Sequence, residues 1–470
     1  MTDNLPSKST PAKMSILGCL WPTSGLRTHP EETCQSRWDR GTSCYQERNR
    51  NKFRSNVVGV HQQIVIGGGG AAGFFAAIAC ARTAPQADVS IFERSSQFLS
   101  KVRISGGGRC NVTHALFDPR TFTTRYPRGE RELISPLHRF SVDDTVAWFE
   151  ARGVRLKTED DGRMFPVTDS SQTIIDCLLA EAKAAGVRLV TRKGIESARV
   201  RTEGGFDLKL NNGESVACDR LLLATGGCRS IGGVELARSL GHTVEPPVPS
   251  LFSLHVDALW LRALPGISVN DVELSVKKLR ERGPLLITHN GVSGPAVLRL
   301  SAWGARVLHA LDYRFTLRVN WVPEMNEHAL RDEFQARRRT QPNRRINNLP
   351  SGGIPARLWE KLVSNAGIFP ETIWTSLTRT GTNDLIRELR ATELEVDGKS
   401  LNKDEFVTCG GVRLREINFK TMESCITPHL YFAGELLDID GITGGFNFQA
   451  AWTTGWIAGH GMAGIEPTST

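Results

Sequence analysis

The sequence predicts an α/β fold, in which one parallel-sheet domain is split in sequence by a β-rich and helical insertion. Three observations lead to this prediction. An apolar strand, a glycine turn, an apolar helix and a second strand follow one another from Gln63, which is the pattern of a βαβ unit. A similar glycine-rich pattern returns near Phe406 and continues to Gly464. Between the two, residues 246–405 combine alternating apolar strands with an arginine-rich helical stretch.

Domain boundaries follow from these changes in composition. A chain of 470 residues is long for a single core, so two or three domains are expected. We predict a disordered N-terminal tail at 1–56 and the first part of the parallel-sheet domain at 57–245. An inserted substrate or cap region follows at 246–405, then the second part of the domain at 406–464 and a C-terminal tail at 465–470.

The first 56 residues are polar, with nine Lys and Arg against five acids, and they show no sustained apolar period. Such a segment cannot bury enough surface to offset its ordering entropy. A transit peptide is one alternative, but five acids are too many for that class. A start codon placed too far upstream is another, and we interpret the segment as a dispensable tail.

Composition excludes several classes of protein. No run of about 18 apolar residues occurs, so we expect no membrane span. The ten cysteines are scattered, without a C-x-x-C pair or metal-type spacing with His, which indicates a reducing, cytoplasmic setting and no metal site. The net charge of +8 suggests nucleic acid, but half of it, 9 − 5 = +4, lies in the first 56 residues.

The predicted elements run as follows. Strands are expected at 63–66, 88–92, 153–156, 186–189, 221–224, 252–257, 315–321 and 429–433, with further strands over 195–224 that turn at Asn211-Asn212-Gly213. Helices are expected at 71–82, 143–152, 172–185 and 445–459, and within 324–395. The prolines of 245–249 mark the boundary of the insertion.

The first motif is a glycine turn between the first strand and the first helix. It reads G-x-G-x-x-G at Gly68, Gly70 and Gly73, with Gly69, Ala71 and Ala72 between them. This arrangement lets the backbone approach a pyrophosphate, while the helix N-terminus attracts the anion. Glu93 ends the second strand where such folds bind a ribose hydroxyl, and Arg94 follows it. An acid there favours FAD or NAD over NADP.

The second motif is a glycine triplet within a basic segment. The three consecutive glycines, of which Gly107 and Gly108 are the last two, exclude an ordinary helix or strand and suit a backbone laid against a ligand. We expect the flanking side chains to neutralise phosphate or to bind a polar edge; they are Lys101, Arg103, Arg109, Asn111 and Thr113. A flexible basic loop is the alternative. Cys110 suggests redox chemistry, but no second cysteine is near in sequence, and packing is the favoured interpretation.

The third motif lies near the C-terminus. After the strand at 429–433 come Gly434, Glu435 and Asp438, and then Gly445, Phe446 and Asn447 open a helix. An acid just past a strand can bind ribityl or ribose hydroxyls. A helix N-terminus against the pyrimidine edge of a flavin favours the reduced form. The alternative is a strand–helix unit in which the Asp only caps the helix.

These three blocks resemble the BaiN-like flavoproteins, a family of NAD(P)/FAD-dependent oxidoreductases. The resemblance covers about residues 60–464 and is most specific at 103–113 (RISGGGRCNVT), 288–295 (THNGVSGP) and 434–445 (GELLDIDGITGG). Ala224, Thr225 and Gly226 also resemble the strand-end turn that closes over FAD in this superfamily. The resemblance implies a Rossmann-like FAD-binding domain of the glutathione-reductase type, split by an insertion. It leaves the substrate open, because members reduce dehydro-bile acids or oxidise aminoacetone.

The segment 288–295 lies in the insertion and is the best candidate for an element that faces substrate. His289 is a candidate proton donor to a carbanion formed by hydride addition. Alternatively, His289 and Ser293 only organise a turn and cap a helix that starts near Pro295.

Four functions are compatible with these motifs. The favoured one is an oxidoreductase that passes hydride between NAD(P)H, FAD and a small unsaturated or carbonyl substrate. No second G-x-G-x-x-G follows a predicted strand and opens a helix, so NAD(P)H would dock only transiently. The others are a flavin oxidase of an amine or amino-ketone, a non-catalytic FAD-binding scaffold, and an RNA-modifying flavoprotein. The last is motivated by the net charge and by the arginines of 337–345, but no aromatic residues interleave with them for base stacking. The oligomeric state is left open.

Overall fold

The computed structural model describes residues 61–227, 231–400 and 407–467. The tail predicted at 1–56 lies outside these residues. The strands are β1 Gln63–Gly67, β2 Asp88–Phe92, β3 Thr113–His114, β4 Leu156–Thr158, β5 Arg163–Pro166, β6 Arg188–Val190, β7 Ile195–Val200, β8 Phe206–Leu210, β9 Ser215–Cys218, β10 Arg220–Leu223, β11 Val244–Ser250, β12 Leu254–Val256, β13 Ser268–Val276, β14 Leu279–Thr288, β15 Gly291–Ser293, β16 Phe315–Asn320, β17 Thr392–Lys399, β18 Val407–Val412, β19 Ile417–Asn418, β20 Glu423–Ser424 and β21 Leu430–Phe432.

The α-helices are α1 Ala71–Thr83, α2 Ser100–Gly108, α3 Pro119–Thr123, α4 Ile134–Arg139, α5 Val142–Glu150, α6 Ser171–Ala184, α7 Ile231–Ser239, α8 Pro295–Trp303, α9 Ala305–Ala310, α10 Glu327–Thr340, α11 Ala356–Asn365, α12 Arg379–Ala391 and α13 Phe446–Met462. Short 3-10 turns occupy Leu261–Ala263, Ile346–Asn348, Trp374–Ser376, Leu414–Glu416 and Gly434–Leu436.

A seven-stranded sheet forms the centre of the first core, in the order β19-β20-β21-β10-β1-β2-β6. The run from β21 to β6 is parallel, and β20 pairs with β21 in the antiparallel sense. Parallel strands buried on both faces read as continuous apolar runs, which is why β1 and β10 were recognisable from sequence. Because β1 and β21 are neighbours of β10, the two ends of the described chain meet in one sheet.

Helix α1 packs against α13 at very short range. A Cβ added at Gly455 would lie 2.4 Å from the carbonyl oxygen of Ala72, and one added at Gly459 would lie 2.5 Å from that of Ala76. Two helical glycines four residues apart therefore let the backbones touch. This contact fixes the start of α13 relative to the start of α1.

The insertion has its own core. Six strands close an antiparallel barrel in the order β12-β15-β14-β13-β16-β17, and α10, α11 and α12 lie beside it. The fully buried Trp321, Trp359 and Trp374 belong to this second core. The Rossmann-type parallel sheet with a separate antiparallel, β-rich insertion confirms the predicted fold class.

The prolines at 245–249 form a strand rather than a loop. Strand β11 pairs with β18, and the register shifts between Glu245 and Val248. A proline has no N–H to donate to a ladder, so an irregular, two-stranded pairing accommodates it. Because β18 follows the insertion in sequence, this pair ties the two borders of the insertion together.

The two predicted Gly-Val-Arg-Leu strands begin later than expected. Gly153 and Gly186 each have a φ of 77° and end the preceding helix rather than starting a strand. In both cases the next residue donates to a carbonyl five residues back, Val154 to Phe149 and Val187 to Ala182, as in a Schellman cap. The strands β4 and β6 start only after these caps.

Candidate functional site

The first glycine turn joins β1 to α1 at the carboxyl edge of the parallel strands. The N–H of Gly68 donates to the carbonyl of Phe92 (2.9 Å), and a Cβ added at Gly68 would lie 2.3 Å from the carbonyl oxygen of Ala224. A Cβ at Gly73 would meet the carbonyl oxygen of Gly68 at 2.0 Å. The turn thus packs against two neighbouring strand ends.

The N-terminus of α1 has no side-chain cap. Gly70 is its N-cap residue, and Ala71 and Ala72 begin the helix, whose first turn carries no acid. A Cβ added at Gly70 would meet no protein atom within 4 Å. The positive end of the helix dipole and its first N–H groups therefore face no protein side chain that would satisfy them.

Glu93 is held at the end of β2 by backbone donors. One carboxylate oxygen accepts from the N–H of Gly69 and the other from the N–H of Ser95, each at 2.8 Å. A carboxylate offers about four acceptor positions, so these two bonds orient the group and leave acceptor capacity. Arg94 is exposed beside Gly194, where an added Cβ would lie 2.7 Å from its side chain.

The second motif interrupts α2. Ser105 is extended (ψ 150°), and Gly106 and Gly107 take the left-handed φ values of 56° and 68°. Added Cβ atoms at Gly107 and Gly108 would meet no protein atom within 4 Å. The prediction that this triplet breaks regular structure is confirmed.

Cys110, directly after this motif, is fully buried at a φ of 62°. Burial raises the pKa of its thiol to about 12, so the thiol stays protonated and unreactive near neutral pH. This supports the packing interpretation. The described cysteines are all free: Cys80, Cys110, Cys177, Cys218, Cys409 and Cys425.

The three cations of the second motif have protein partners. Lys101 forms an ion pair with Glu435 of the third motif, and a Glu435 oxygen also accepts from the N–H of Thr408 (2.9 Å). Arg103 donates to the side chain of Gln172 (2.7 Å). Arg109 pairs with a carboxylate oxygen of Glu159 (2.6 Å) and lies 4.0 Å from the ring centroid of Phe165. Their predicted role at a phosphate stays a prediction.

The second and third motifs touch through backbone and side chains. A Cβ added at Gly445 (φ 98°) would lie 2.5 Å from the carbonyl oxygen of Thr113, and the Thr113 hydroxyl donates to Gln449 (2.7 Å). The Asn111 amide accepts from the N–H of Gly445 (3.0 Å) when its nitrogen faces the carbonyls of Thr113 and Met164. Segments more than 300 residues apart therefore meet at the N-terminus of α13.

The remaining side chains of the third motif brace its turn. Asn447 makes two hydrogen bonds to the backbone of Gly441, at 2.8 and 2.9 Å. Asp438 accepts from the N–H of Gly410 (3.0 Å) and pairs with Arg306 (2.9 Å) in the insertion. The ring of Phe446 is buried and stacks on His114 at a centroid distance of 4.8 Å.

The strand-end turn at Ala224 lies against the first glycine turn. The N–H of Ala224 donates to the carbonyl of Gly67 (2.8 Å). The hydroxyl of Thr225 is buried and has no hydrogen-bond partner among the described residues. Gly226 has a φ of 78°, and an added Cβ there would again meet no protein atom within 4 Å.

Sequence reasoning missed a buried ion pair beside this site. Asp440 is fully buried, pairs with Arg128 and accepts from the hydroxyl of Ser250 (2.8 Å), while Arg128 also donates to the carbonyl of Ala302 (2.7 Å). Burial raises the pKa of Asp440, and Arg128 and Ser250 act in the opposite direction. The third motif contains Asp440, but no motif pointed to Arg128.

His289 lies on the surface of the barrel. Strand β14 ends at Thr288 and β15 begins at Gly291, so His289 and Asn290 form a two-residue hairpin loop, and both are exposed. The hydroxyl of Ser293 shares a hydrogen bond with that of Ser253 (2.6 Å) rather than capping α8, which starts at Pro295 as expected. His289 has a place in a turn, and its catalytic role stays a prediction.

The residues of the three turns fit a dinucleotide cofactor. Two long helices begin without a side-chain cap or an acid in the first turn, and the glycines beside them leave backbone exposed. The buried hydroxyl of Thr225 needs a partner, and two carboxylates, Glu93 and Glu435, stand at strand ends. In one extended ligand, anionic groups would face the helix N-termini and hydroxyl groups would face the two carboxylates.

The family of HI0933-like protein Rossmann domains matches residues 61–461. The chain belongs to this family. A 3-dehydro-bile acid Δ(4,6)-reductase of Clostridium scindens is 31% identical over 85% of this chain and 99% of its own length. The match and this relative confirm the resemblance drawn from the sequence, with its Rossmann-type fold and its oxidoreductase class.

A second relative of the chain carries a different name. A ribosomal RNA dihydrouridine synthase of Escherichia coli is 32% identical over 83% of this chain and 96% of its own length. Among solved structures, a 3-ketosteroid-Δ4-(5α)-dehydrogenase of Rhodococcus jostii RHA1 aligns with 17% identity and a TM-score of 0.47, over 86% of this chain and 97% of that chain. Among the described residues of this HI0933-like chain, no helix is long and apolar enough to cross a membrane.

Proposed function

We propose that the chain is an FAD-dependent reductase that adds two hydrogens across a carbon–carbon double bond conjugated with a carbonyl group, with NAD(P)H as a transient electron donor. One observation supports this above all. The turns after β1, β10 and β21 lie at the same edge of the sheet, because these three strands are parallel. In open parallel sheets, ligands bind outside the carboxyl ends of the strands.

Each turn has a role in this proposal. The uncapped N-terminus of α1 binds the pyrophosphate, and Glu93 binds a ribose hydroxyl. The N-terminus of α13 favours negative charge on the pyrimidine edge of the flavin, and Asn111 holds that N-terminus through Gly445. FAD, when bound, supplies hydride transfer between a donor and a substrate.

The substrate class follows from the names of two relatives. The two Δ(4,6) double bonds of a 3-dehydro steroid are conjugated with the C3 carbonyl. Dihydrouridine differs from uridine by two hydrogens across a double bond that is conjugated with a carbonyl. Both names therefore describe one bond type, although the molecules that carry it differ in size.

The test is anaerobic reduction of the purified yellow protein with NADH or NADPH, followed by addition of a 3-oxo-4,6-diene steroid. We expect the flavin absorbance to bleach with the donor and to return with the enone. Failure of both nicotinamides to bleach it would contradict the donor. In a separate assay with oxygen present, rapid peroxide release with an amine substrate would favour an oxidase instead.

A second candidate substrate is a uridine in ribosomal RNA. Two ribosomal RNA dihydrouridine synthases, from Escherichia coli and Haemophilus influenzae, match this chain over 83% and 84% of its length. Return of the flavin absorbance on addition of a ribosomal RNA transcript, and not of the steroid, would support this candidate.

His289 is retained in the proposal as the proton donor. We expect His289→Gln to leave reduction of the flavin by the donor unchanged and to slow only the return of absorbance with substrate, because a proton donor acts in the second half of the cycle. If the variant and the wild type have equal rates in both halves of the cycle, His289 serves only its hairpin loop.

A further inference from the structure

The positive charge of the described chain is concentrated in one part of the insertion. Residues 337–361 contain six Arg and one Lys against one acid, Glu360, which is a net charge of 7 − 1 = +6. The whole chain has a net charge of +8. This segment includes the end of α10, a loop and the first half of α11.

The structure divides these arginines into two groups. Arg337 pairs with Glu333 and donates to the carbonyl of Pro350 (3.0 Å), and Arg338 donates to the carbonyl of Trp374 (3.1 Å), so both brace the loop. Arg339, Arg344 and Arg345 are exposed, and none of their side chains has an ion pair or hydrogen bond among the described residues. Unpaired guanidinium groups at adjacent positions repel one another, which makes an anionic partner favourable.

A cavity of about 450 Å³ opens beside Arg345. Its lining offers donors and acceptors together: Arg345 and Arg357 as donors, and Asn347 and Glu360 as acceptors. Arg345 has a free guanidinium, whereas that of Arg357 also donates to the carbonyl of Ala263 (2.7 Å). The side-chain oxygen of Asn347 is buried and has no hydrogen-bond partner among the described residues. A buried acceptor without a donor costs free energy that a ligand N–H or O–H would recover.

An exposed aromatic residue directly precedes one of the residues that line this cavity. Phe369 is 77% exposed, and its neighbour Pro370 lines the cavity. The loops are tied together, since Ile346 donates to Thr372 (3.0 Å) and Trp374 donates to Arg344 (3.1 Å). The arginine run itself contains no aromatic residue, but the fold ties it to a segment about 25 residues away that contains Phe369.

From these contacts we infer that the face formed by Arg344, Arg345, Arg357, Phe369 and the cavity binds a single-stranded polynucleotide. Unpaired arginines bind phosphates, an exposed ring stacks on a base, and adjacent acceptors bind the N–H groups of a base edge. A duplex would bury its bases and leave Phe369 and Asn347 without partners. The inference goes beyond the proposed reduction, because it holds whichever carbon–carbon double bond is reduced.

The experiment measures fluorescence anisotropy of a labelled single-stranded RNA of about 12 nucleotides with the full-length holoenzyme. We expect Arg344→Gln/Arg345→Gln to weaken binding about tenfold or more, and to reduce the salt slope by about 1.4 for two lost phosphate contacts. Phe369→Ala is expected to weaken binding about fivefold or more through lost stacking.

The matched control is Arg280→Gln/Arg318→Gln. It removes the same charge from two barrel arginines whose side chains are 66% and 64% exposed and paired with Glu273 and Glu393. We expect it to change affinity by less than about twofold, since paired surface charges contribute little. Equal losses in both double variants would overturn the inference in favour of net charge alone.

Further arms identify the partner. Binding of single-stranded DNA as tight as that of RNA supports a surface that contacts phosphates and bases. A preference for RNA supports a surface that also contacts the 2′-hydroxyl. Binding only to vesicles with anionic lipid, or no binding at low salt, would overturn the inference. Flavin reduction by NADH or NADPH, measured on the same preparations, shows separately whether the proposed function has failed.

Discussion

Glycine has two different uses at the candidate site. Gly68, Gly73 and Gly445 lie so close to neighbouring backbone that any side chain would collide with a carbonyl group. Gly70 and Gly107 face no protein atom within 4 Å. The first kind is required by the fold. At Gly70, whose φ is −94°, only a ligand would require glycine, whereas the left-handed φ of 68° at Gly107 also favours it, so a substitution at Gly70 separates the two uses.

Gly70→Val tests the second kind. Gly70 has an ordinary φ of −94°, so we expect the unfolding midpoint of the flavin-free protein to fall by only about 2 °C through a poorer N-cap. If the pyrophosphate lies at this turn, the ratio of flavin to protein absorbance should fall sharply. The control is Gly398→Val on β17, where the nearest atom to an added Cβ is 3.8 Å away. Full flavin content in Gly70→Val would place the pyrophosphate elsewhere.

A second prediction concerns His242, which is buried between two partners. Its ring nitrogens lie 3.1 Å from a carboxylate oxygen of Glu416 and 2.8 Å from the hydroxyl of Ser424. Burial lowers the pKa of His242 below the ordinary 6.5, although Glu416 acts in the opposite direction. As the pH falls below 6.5, the unfolded chain therefore binds a proton on this ring before the folded chain does. The stability that the neutral ring contributes above pH 6.5 is lost as the pH falls from 6.5 to the lower pKa of the folded state.

His242→Gln should accordingly cost about 1–3 kcal/mol of unfolding free energy near neutral pH, because it disturbs two buried partners. The difference from wild type should shrink in denaturant titrations at about pH 5. His328→Gln, at an exposed position on α10, is the control for the substitution itself. A difference that grows with acid would contradict the assigned direction.

At the scale of elements, the contact between α1 and α13 fixes the site. Both helix N-termini face the same edge of the sheet because each helix follows a parallel strand, and Gly455 and Gly459 let the two helices approach. Aromatic rings complete the contact, with Phe75 and Trp452 at a centroid distance of 4.7 Å.

We predict that Gly459→Val costs about 1–3 kcal/mol or more by overpacking against Ala76, with loss of flavin in proportion to the unfolded fraction. Ala451→Val introduces the same β-branched residue at a partly exposed position of the same helix and controls for helix propensity. Thermal unfolding of both variants provides the measurement, and equal midpoints would show that the helices are not in close contact.

The sequence predicted those elements whose signals are local. Strands β1 and β2 and helix α1 were placed to within one residue, and the Asn-Asn-Gly hairpin lies between β8 and β9. The hairpin of β13 and β14 was missed because its two-residue loop is Lys277-Lys278, without the glycine that usually marks a turn of this kind, and Lys277 takes a φ of 51°.

The candidate site was predictable as a set of turns and less so as a set of contacts. The spacing of the glycines indicates where two backbone segments approach closely, since only glycine fits there. The ion pair of Lys101 with Glu435 joins positions 334 residues apart, and no local pattern specifies such a pair. The same is true of Phe369, whose importance depends on loops that only the tertiary fold brings to the arginines.

At the scale of the whole molecule, the contacts that build the two cores involve residues from Ile64 to Met462. We therefore predict that a chain beginning at Val57 keeps its flavin content and its unfolding midpoint. Absorbance spectra and thermal unfolding of the shortened and full chains measure this. Loss of flavin in the shortened chain would show that the first 56 residues have a role in the holoenzyme.

The order in which the chain is made follows from the split sheet. On the ribosome, β1, β2, β6 and β10 emerge first, and the insertion, whose core is its own, can fold next. Strand β21 and helix α13, which complete the sheet and cover α1, come after the insertion in the chain. Until α13 has left the ribosome, the apolar face of α1 around Phe75 therefore stays uncovered. A premature stop codon even a few turns before Met462 would leave a full barrel attached to an unfinished sheet.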